Sequence, residues 1–439
     1  MINAQDRAPY GWTPLVVLFI VGLVDRIEYN LLSGVLPLVQ AEWGFSDTAA
    51  GSIPTAAALA AAVVALPAGY FADRYNRTRI LAIVVFCWAI ATLGSGLATG
   101  FAMFYLMRVF LAAAENIDNP AAGSLLADWY PPLSRAKAYG LTRVTTYLGG
   151  IGTLLGGILG QAMGWRNAFL VMVIPGVLTA ILCWMLREPK RGELDRLVAG
   201  GTTPASPASS ASPASSASSA KAPKQPFWPQ FRLVLRNPTL MFVCVGLALL
   251  TLGLAGIFFW LPTLMVRAFG ATPATAGSYS GLITVAGTLV GTLVGAWLGR
   301  KWHGTVKGGR LLAGGGGITI GAAVLAAALS MNSLLAMAAL TLLSCSLMSI
   351  AIPNMTACLA DVVGAGSRGL GFAVLQVFTT AGGAFGSLIV GIFSDRLGSL
   401  VGGMYVLIVP MVLGGLITLG ARASFERDAK KVLDEARDA

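Results

Sequence analysis

A chain of 439 residues that is 56% hydrophobic and only 11% charged, with a mean hydropathy of +0.75, is too apolar to be a soluble domain. The formal net charge of +11 would suit a nucleic-acid-binding protein, but the basic residues are dispersed along the chain and form no stripe. The composition therefore indicates a polytopic membrane protein and argues against a nucleic-acid partner.

Apolar stretches of about 20 residues, enough for a helix to cross about 30 Å of hydrocarbon, recur along the chain between short polar breaks. The pattern predicts an all-α polytopic membrane protein with twelve transmembrane helices. The predicted spans lie at about 13–38, 49–71, 80–98, 101–127, 138–163, 166–187, 238–265, 275–299, 311–331, 334–361, 369–392 and 403–421.

The distribution of basic residues orients these spans. With both termini placed in the cytoplasm, most of the 30 Lys and Arg residues fall in cytoplasmic segments, as the positive-inside rule requires. The exceptions are three arginines outside and three within spans: Arg166, Arg267 and Arg396, and Arg26, Arg108 and Arg143. The first residues, MINAQDRAPYGW, do not resemble a signal peptide, so we expect span one to be retained in the inner or plasma membrane.

Span one carries an unusual cluster of charges in the stretch VDRIEYN, residues 24–30. Asp25, Arg26 and Glu28 lie near the centre of an apolar helix, where each Asp or Arg costs about 2.5 to 3.5 kcal/mol unless it has a partner. Positions three apart share a helix face, so Asp25 and Glu28 can point the same way, whereas Arg26 is rotated about 100° from Asp25. Charges of this kind mark ion and substrate pathways in membrane proteins.

Span four carries a second set of charges. Arg108 and Glu115 are two helical turns apart on one face, and Asp118 follows one turn further on. Arg143 adds another charge in span five, while the spans of the second half have essentially none away from their ends. This asymmetry suits a proton or ion relay in the first half and a substrate with one charged end and an apolar remainder.

The sequence also divides into two related halves. The end of span two, GYFADRYNR, returns in degenerate form at the end of span eight, GAWLGRKWHG. Between spans six and seven, the Pro/Ala/Ser tract TTPASPASSASPASSASSA cannot bury enough apolar surface to become ordered. We predict an N-terminal six-helix bundle at 1–187, a flexible cytoplasmic linker at 188–237, a C-terminal six-helix bundle at 238–421 and a cytoplasmic tail at 422–439.

The second half offers candidates for an apolar pocket. Phe259 and Trp260, together with Phe258, can contribute aromatic walls, and Asn354 and Gln376 can contribute polar contacts. Three consecutive aromatic residues cannot share one helix face, so an aromatic belt at the membrane interface is the alternative. The glycine runs GGIGTLLGG in span five and TVAGTLVGTLVG in span eight indicate close helix packing.

The stretch GYFADRYNRTR resembles the loop signature of the major facilitator superfamily. Within that superfamily, several stretches resemble the Spinster family: VDRIEYNLLSGVLPLVQAEWGFSDTAAGSIPT, RVFLAAAEN, LLADWYPPLSRAKAYG, GWRNAF, REPKRGE, FFWLPTLMVRAFG and SLIVGIFSDRLG. The resemblance covers nearly the whole chain and implies two pseudo-symmetric six-helix bundles around a central cavity. It also implies a conformational latch on the cytoplasmic face, formed by Gly69, Asp73, Arg74, Arg77, Asp128 and Arg135.

The same resemblance suggests roles for the membrane charges, because spans one and four adjoin the central cavity in this superfamily. We expect Asp25 to be the principal proton carrier and Glu115 a second one. We expect Arg108 to be the counter-charge of Asp25 or Glu28 and to bind the anionic group of the substrate. Glu28 and Arg143 are further candidates for substrate binding. The alternative is that these charges only hold the helices together.

These observations favour a proton-coupled secondary active transporter that uses the proton gradient and no cofactor. We expect it to move an amphiphilic or lipid-like organic molecule, such as a lysolipid, by alternating access. The alternatives are symport of a small organic anion and, less favoured because span five lacks the glycine-proline antiporter signature, drug export. We expect a monomer in contact with membrane lipids.

Other function classes are disfavoured by the residues available. Five widely spaced cysteines in predicted spans and a single histidine, His303, in a basic loop provide neither a metal-ligand cluster nor a nucleophile with an oriented base. We therefore expect no metal site and no enzyme. The sequence lacks the phosphate-binding loop of ATP-driven transporters, and a receptor would not need protonatable residues at the membrane centre.

Overall fold

A computed structural model of the chain describes residues 11–192, 227–364 and 367–437, and within these ranges the chain is helical with no strand. The helices of the first half are α1 (Thr13–Trp43), α2 (Asp47–Arg74), α3 (Arg77–Gly96), α4 (Phe101–Trp129), α5 (Pro132–Tyr147), α6 (Gly150–Met163) and α7 (Trp165–Met185). Those of the second half are α8 (Phe227–Leu235), α9 (Pro238–Phe269), α10 (Pro273–Trp302), α11 (Gly309–Leu329), α12 (Leu334–Ser349), α13 (Ala351–Val362), α14 (Arg368–Leu397), α15 (Leu400–Tyr405), α16 (Ile408–Gly420) and α17 (Arg422–Arg437).

All twelve predicted spans are helical. Spans five, ten and twelve are each divided into two helices, namely α5 and α6, α12 and α13, and α15 and α16. Within the described ranges, nine stretches are long and apolar enough to cross a membrane by composition alone. The three predicted spans outside that set are one, four and five, which carry the membrane charges discussed above. Their polar content lowers their hydropathy, and the neighbouring helices supply the partners that the charges need.

The helices form two bundles. In the first, α3 packs against α4 and α7, α2 packs against α4, and α1 packs against α6. In the second, α9 packs against α14 and α16, α11 packs against α12 and α16, and α10 packs against α12. The bundles meet through the pairs α2 with α14, α6 with α10, and α1 with α9. This is the predicted arrangement of two six-span halves.

The molecule has two ends, which we call the far face and the linker face. The far face is the end at which α1 and α9 finish, at Gly44 and Gly270; both have φ of 63°, a left-handed conformation that favours glycine and stops the helix. The linker face is the opposite end, at which α3 and α9 begin. There the side chains of Asn76 and Asn237 cap the two helices by accepting hydrogen bonds from the backbone N–H groups of Arg79 and Leu240.

Glycine allows the two bundles to touch backbone to backbone. A Cβ added to Gly277 on α10 would lie 2.8 Å from the Cα of Gly157 on α6, and one added to Gly51 on α2 would lie 2.3 Å from the carbonyl oxygen of Ser387 on α14. Both distances are too short for any side chain. The predicted role of the glycine runs in close helix packing is therefore confirmed.

The segments outside the bundles are more ordered than the sequence suggested. The Pro/Ala/Ser tract lies outside the described residues, but the predicted flexible linker also contains α8, whose Val234 is buried. The predicted tail forms α17, which packs against the second bundle, with Phe425 buried and Asp428 accepting a 2.7 Å hydrogen bond from the hydroxyl of Thr239. Both helices are amphipathic, α8 with mainly apolar residues around a glutamine and an arginine and α17 with apolar residues among charged ones, so each can bury one face.

Candidate functional site

A cavity of about 170 Å³ lies between the two bundles. Its walls come from α1, α2 and α4 on one side and from α9 and α14 on the other. The lining residues are Tyr29, Asn30, Leu32, Ser33, Ile53, Pro54, Ala57, Arg108, Leu111, Ala255, Phe258, Phe259, Gly383 and Ser387. The cavity therefore combines one cationic side chain and a few polar groups with mainly apolar walls.

Direct hydrogen bonds between the bundles close the cavity toward the far face. The hydroxyl of Ser33 on α1 donates to the carbonyl oxygens of Phe258 and Phe259 on α9, at 2.9 and 2.8 Å. The hydroxyl of Thr55 on α2 donates at 2.6 Å to the carbonyl oxygen of Ala384 on α14. A small molecule in the cavity is therefore shielded from the far face.

A polar network seals the far face itself. Asp47, the first residue of α2, is buried and accepts hydrogen bonds from the guanidinium of Arg267 on α9 at 2.7 and 2.8 Å. Gln40 and Ser394 donate to the same carboxylate at 2.9 and 2.6 Å. Since Arg267 and Ser394 belong to the second bundle, Asp47 joins the two halves through charge-assisted bonds.

Asp395 on α14 completes this far-face network by capping a helix of the other bundle. Its carboxylate accepts hydrogen bonds from the backbone N–H groups of Asp47 and Thr48 at 3.0 and 2.8 Å, and one from the Thr48 hydroxyl. These N–H groups begin α2 and have no partner within that helix, so an anionic acceptor stabilises the helix end. The cap is lost if the bundles separate here.

Arg108 is buried in the first bundle but reaches the cavity. Its side chain is 3% exposed, and its Nε and Nη2 atoms donate to the hydroxyl oxygen of Ser95 on α3 at 3.0 and 2.8 Å. The guanidinium carbon also lies 4.7 Å from the ring centre of Phe169, in a cation–π contact. These contacts fix the guanidinium in place while leaving donors available for an anion.

Glu28 is the carboxylate that lies beside Arg108. It is 1% exposed, and its Oε1 atom is 3.8 Å from Nη2 of Arg108. This separation allows charge attraction but is too long for a hydrogen bond. Oε1 of Glu28 has no hydrogen-bond partner among the described residues, which is unusual for a buried carboxylate oxygen. The sequence left open whether Asp25 or Glu28 pairs with Arg108, and the structure selects Glu28.

Asp25 and Glu115 form a second carboxyl cluster, one helical turn closer to the linker face. Nε of Arg26 lies 3.2 Å from Oδ2 of Asp25, and Asp25 and Glu115 are close enough to interact electrostatically. Oε1 of Glu115, like Oε1 of Glu28, is buried without a hydrogen-bond partner among the described residues. Asp25 does not itself line the cavity, but Tyr29, one turn further along α1, does. The predicted relay residues are therefore adjacent to the cavity and close to each other.

The aromatic residues of α9 divide between two roles. Phe258 and Phe259 line the cavity, whereas Trp260 is fully buried within the second bundle and donates its indole N–H to the carbonyl oxygen of Ser387 at 2.9 Å. The prediction that Trp260 contacts substrate is wrong for this structure, because its ring points between α9 and α14. The alternative of an interfacial belt is also wrong, because these residues face protein.

Three other predicted binding residues lie away from the cavity. Asn354 is buried and its amide donates to the carbonyl oxygens of Gly295 and Ile350, so it fixes helix packing in the second bundle. Gln376 is exposed and donates to the hydroxyl of Thr380 on its own helix. Arg143 is exposed and does not line the cavity either. Their polarity alone could not show which way each side chain points.

Most of the predicted latch residues gather around one buried arginine at the linker face. Arg77 is fully buried, pairs with Asp128, and donates to Glu188 at 2.8 Å and to the Ser124 hydroxyl at 2.6 Å. The side chain of Arg135 donates to the carbonyl oxygens of Ala127 and Tyr130 at the end of α4.

The remaining predicted latch residues are Gly69, Asp73 and Arg74. The guanidinium of Arg74 stacks on the ring of Tyr70 at 4.2 Å, while the surroundings of Gly69 and the side chain of Asp73 lie outside the described part of the chain. The contacts described for Arg77, Asp128 and Arg135 stay within the first bundle. Their predicted role as a latch between conformations remains a prediction.

Comparison with known proteins gives the site its context. A sequence model of the Major Facilitator Superfamily matches residues 18–387. The cis,cis-muconate transport protein of Acinetobacter baylyi is 30% identical over 42% of this chain and 45% of that protein, and human protein spinster homolog 1 is 25% identical over 59% and 47%. The chain thus spans less than half the length of either relative.

A solved structure shows the same fold. The crystal structure of a bacterial homolog to the human lysosomal transporter Spinster, in an inward-facing and unoccupied conformation, superposes with a TM-score of 0.78 at 22% identity and covers 98% of both chains. The helical multi-pass architecture, the two bundles and the match over most of the sequence lead to one conclusion. The chain belongs to the Major Facilitator Superfamily, and its fold is similar to that of the bacterial Spinster homolog.

Proposed function

We propose that this protein is a proton-coupled secondary active transporter for an organic molecule with one anionic group and an apolar remainder. The observation that carries the proposal is the cavity between the bundles, with Arg108 in one wall and Phe258 and Phe259 in the opposite wall. The linker face, where the sequence places most basic residues, is the cytoplasmic side. The structure, closed at the far face, then corresponds to an inward-facing state.

The charge of the substrate follows from the lining. Arg108 is the single charged residue among the described lining residues, and burial strengthens its attraction for an anion. The apolar walls formed by Leu111, Ile53 and the two phenylalanines favour a hydrophobic group on the same molecule. An amphiphilic anion satisfies both parts of the cavity.

Proton coupling follows from the Asp25 and Glu115 cluster. Two neighbouring carboxyl groups repel each other when both are ionised, so this cluster is suited to exchange a proton. Asp25 lies one helical turn from the cavity wall at Tyr29, which gives the proton a route to the substrate pathway. We propose Asp25 as the principal carrier and Glu115 as the second.

The volume of the cavity distinguishes two forms of this proposal, a small organic anion and a lipid-like substrate. About 170 Å³ suits a ring or a short chain, since a cavity of about 150 Å³ holds benzene in a protein interior. A small anion, as the name of the muconate transport protein indicates for that relative, would fit entirely. A lipid-like substrate, the form favoured by the Spinster resemblance, would place its headgroup here and its chain toward the linker face.

Thermal-shift measurements on the purified full-length chain test both forms, because a ligand that binds only the native state raises its stability. If the substrate is a small anion, we expect benzoate and muconate to raise the melting temperature; if it is lipid-like, we expect a lysophosphatidate to do so. In either case Arg108→Gln should abolish this rise in melting temperature. Arg187→Gln removes an exposed arginine outside the cavity and serves as the matched control. An equal shift in Arg108→Gln and wild type would contradict the assignment of the cavity as an anion site.

A further inference from the structure

We propose that Glu28 is a second, separate proton site, which takes up one proton when a singly charged anion binds to Arg108. The inference deepens the proposed function and rests on it, because it assumes that Arg108 receives the substrate anion. It concerns a different carboxyl group from the Asp25 and Glu115 cluster. The argument begins with how loosely Glu28 is held.

The contacts of Arg108 are unequal. Its short hydrogen bonds, 2.8 and 3.0 Å, go to the Ser95 hydroxyl, while Glu28 stays at 3.8 Å. Oε1 of Glu28 has no donor within hydrogen-bond distance among the described residues. Arg108 therefore keeps its position through Ser95 and Phe169 whether or not Glu28 is ionised. Glu28 can change its charge without releasing the arginine.

The substrate and Glu28 approach the guanidinium from different sides. Arg108 lines the cavity, whereas Glu28 does not and is 1% exposed. An anion in the cavity and an ionised Glu28 would then share one guanidinium, which leaves one buried negative charge without a partner. Such a charge is costly, and protonation of Glu28 removes it. The carboxylate accepts a proton from the solvent, and no other bond changes.

The charged residues near Glu28 also favour its protonation when an anion binds to Arg108. Asp25 on α1 and Glu115 on α4 both interact with Glu28, and both are acidic. Arg26, the other nearby cation, pairs with Asp25 at 3.2 Å. The remaining helices contribute neutral groups at this level, Ser95 from α3 and Phe169 from α7, and Arg143 on α5 is exposed. Among the described residues, Arg108 is thus the cation that both anions share.

This arrangement also defines the substrate class. One guanidinium and one protonatable carboxylate balance one negative charge on the substrate, so a monoanion binds without a residual buried charge. The enclosed 170 Å³ and the two phenylalanine rings limit the bound part to a ring or a short apolar group. A monocarboxylate of benzoate size meets these conditions, and a dianion such as muconate should bind more weakly.

The test measures anion binding and proton uptake together on the purified full-length protein. Benzoate is titrated between pH 5.5 and 8.5, and proton uptake is followed with an indicator dye in weak buffer. For wild type, we expect one proton to be taken up per benzoate and the affinity to fall about tenfold per pH unit in the alkaline range. A difference infrared spectrum should show a new carboxylic acid band on binding.

Variants test whether Glu28 is the carboxyl group that takes up the proton. Glu28→Gln should bind benzoate about tenfold more tightly than wild type at pH 8, without proton uptake, pH dependence or the infrared band. Arg187→Gln, which removes an exposed arginine outside the cavity, should keep all three signals. A melting temperature close to that of wild type confirms folding, and Glu28→Ala provides a second variant if Glu28→Gln is unstable.

Two results would overturn the inference, and they are distinguishable. If benzoate binding depends on Arg108 but stays pH-dependent in Glu28→Gln, Glu28 is not the coupled site while the proposed function stands. If neither benzoate nor lysophosphatidate binds, or if Arg108→Gln binds them as wild type does, the proposed function fails as well.

Discussion

The far-face network makes a prediction about conformational balance that can be worked through from its contacts. Arg267→Gln removes the cation that holds the Asp47 carboxylate across the two bundles. The side chain of Arg267 is 42% exposed, while that of Asp47 is 8% exposed. Breaking a fully buried ion pair costs about 3 to 5 kcal/mol, whereas an exposed pair contributes about 1 kcal/mol or less.

The expected cost lies between these limits. Asp47 keeps its hydrogen bonds from Gln40 and Ser394, and Asp395 still caps α2, so we expect the closed far face to lose about 1 to 2 kcal/mol. This corresponds to an increase of about 5- to 30-fold in the ratio of far-face-open to far-face-closed molecules. The same variant should unfold at nearly the same temperature, because the contact lies between the bundles and not within either one.

Distance measurements between spin labels test this directly. Cysteines introduced at Thr99 and Asn332, in exposed far-face turns of the two bundles, report the separation of the far face in a background without native cysteines. Arg396→Gln is the matched control, since Arg396 is an exposed arginine beside Asp395 with no part in the network. Identical distance distributions for wild type, Arg267→Gln and Arg396→Gln would refute the reasoning.

Three further outcomes are expected. Gly277→Val should clash with the backbone of Gly157, since even an added Cβ would lie 2.8 Å from the Gly157 Cα. The variant should therefore shift the same spin-label distances toward an open far face. An unchanged distance distribution would contradict the close approach of the two glycines. Arg77→Gln leaves the Asp128 carboxylate without its buried partner, so it should lower the free energy of unfolding by about 3 to 5 kcal/mol. Thermal or denaturant unfolding measures this loss. A loss below about 1 kcal/mol would show that the Arg77 cluster does not stabilise the fold. Phe259→Ala should weaken benzoate binding by about tenfold, because Phe259 lines the apolar part of the cavity. Binding of a small polar anion such as formate should not change, and calorimetry measures both affinities. Equal losses of affinity for the two ligands would show that Phe259 does not contact the apolar group of the substrate.

The fold was largely predictable because hydrophobic length and periodicity are properties of contiguous sequence. Every predicted span is helical, and even the charged span one was identified, since its flanks supply enough apolar residues to cross a membrane. The exact divisions were not predictable. Span five, for example, breaks between α5 and α6 near Leu148, at a glycine-rich stretch where neighbouring helices, not local propensity, decide the conformation.

The candidate site was predicted in part. Arg108 lies in the cavity wall, as expected for a residue that binds the substrate anion, while the proton-carrier roles of Asp25 and Glu115 remain predictions. Helical geometry suggested that Arg26 points away from Asp25, yet the long arginine side chain bends back and pairs with it at 3.2 Å. Spacing along a helix fixes the direction of a Cβ atom but not the reach of a flexible side chain.

The far-face network could not be found from spacing at all. Arg267 lies 220 residues from Asp47, and Asp395 lies 347 residues from Thr48, so each pair depends on how the two bundles dock. The one available signal was the stretch SLIVGIFSDRLG, whose Asp395 stands near the end of an apolar span. The cavity residue Asn30 was missed for a similar reason, because only the second bundle makes its surface into a wall.

The central claim is that anion movement through this cavity is tied to proton movement, and reconstituted vesicles measure both at once. With an inward proton gradient and no membrane potential, we predict accumulation of benzoate or lysophosphatidate together with acidification of the vesicle interior, and loss of gradient-driven accumulation in Asp25→Asn. Accumulation that is unaffected by collapsing the proton gradient, or that persists in full in Asp25→Asn, would contradict the account.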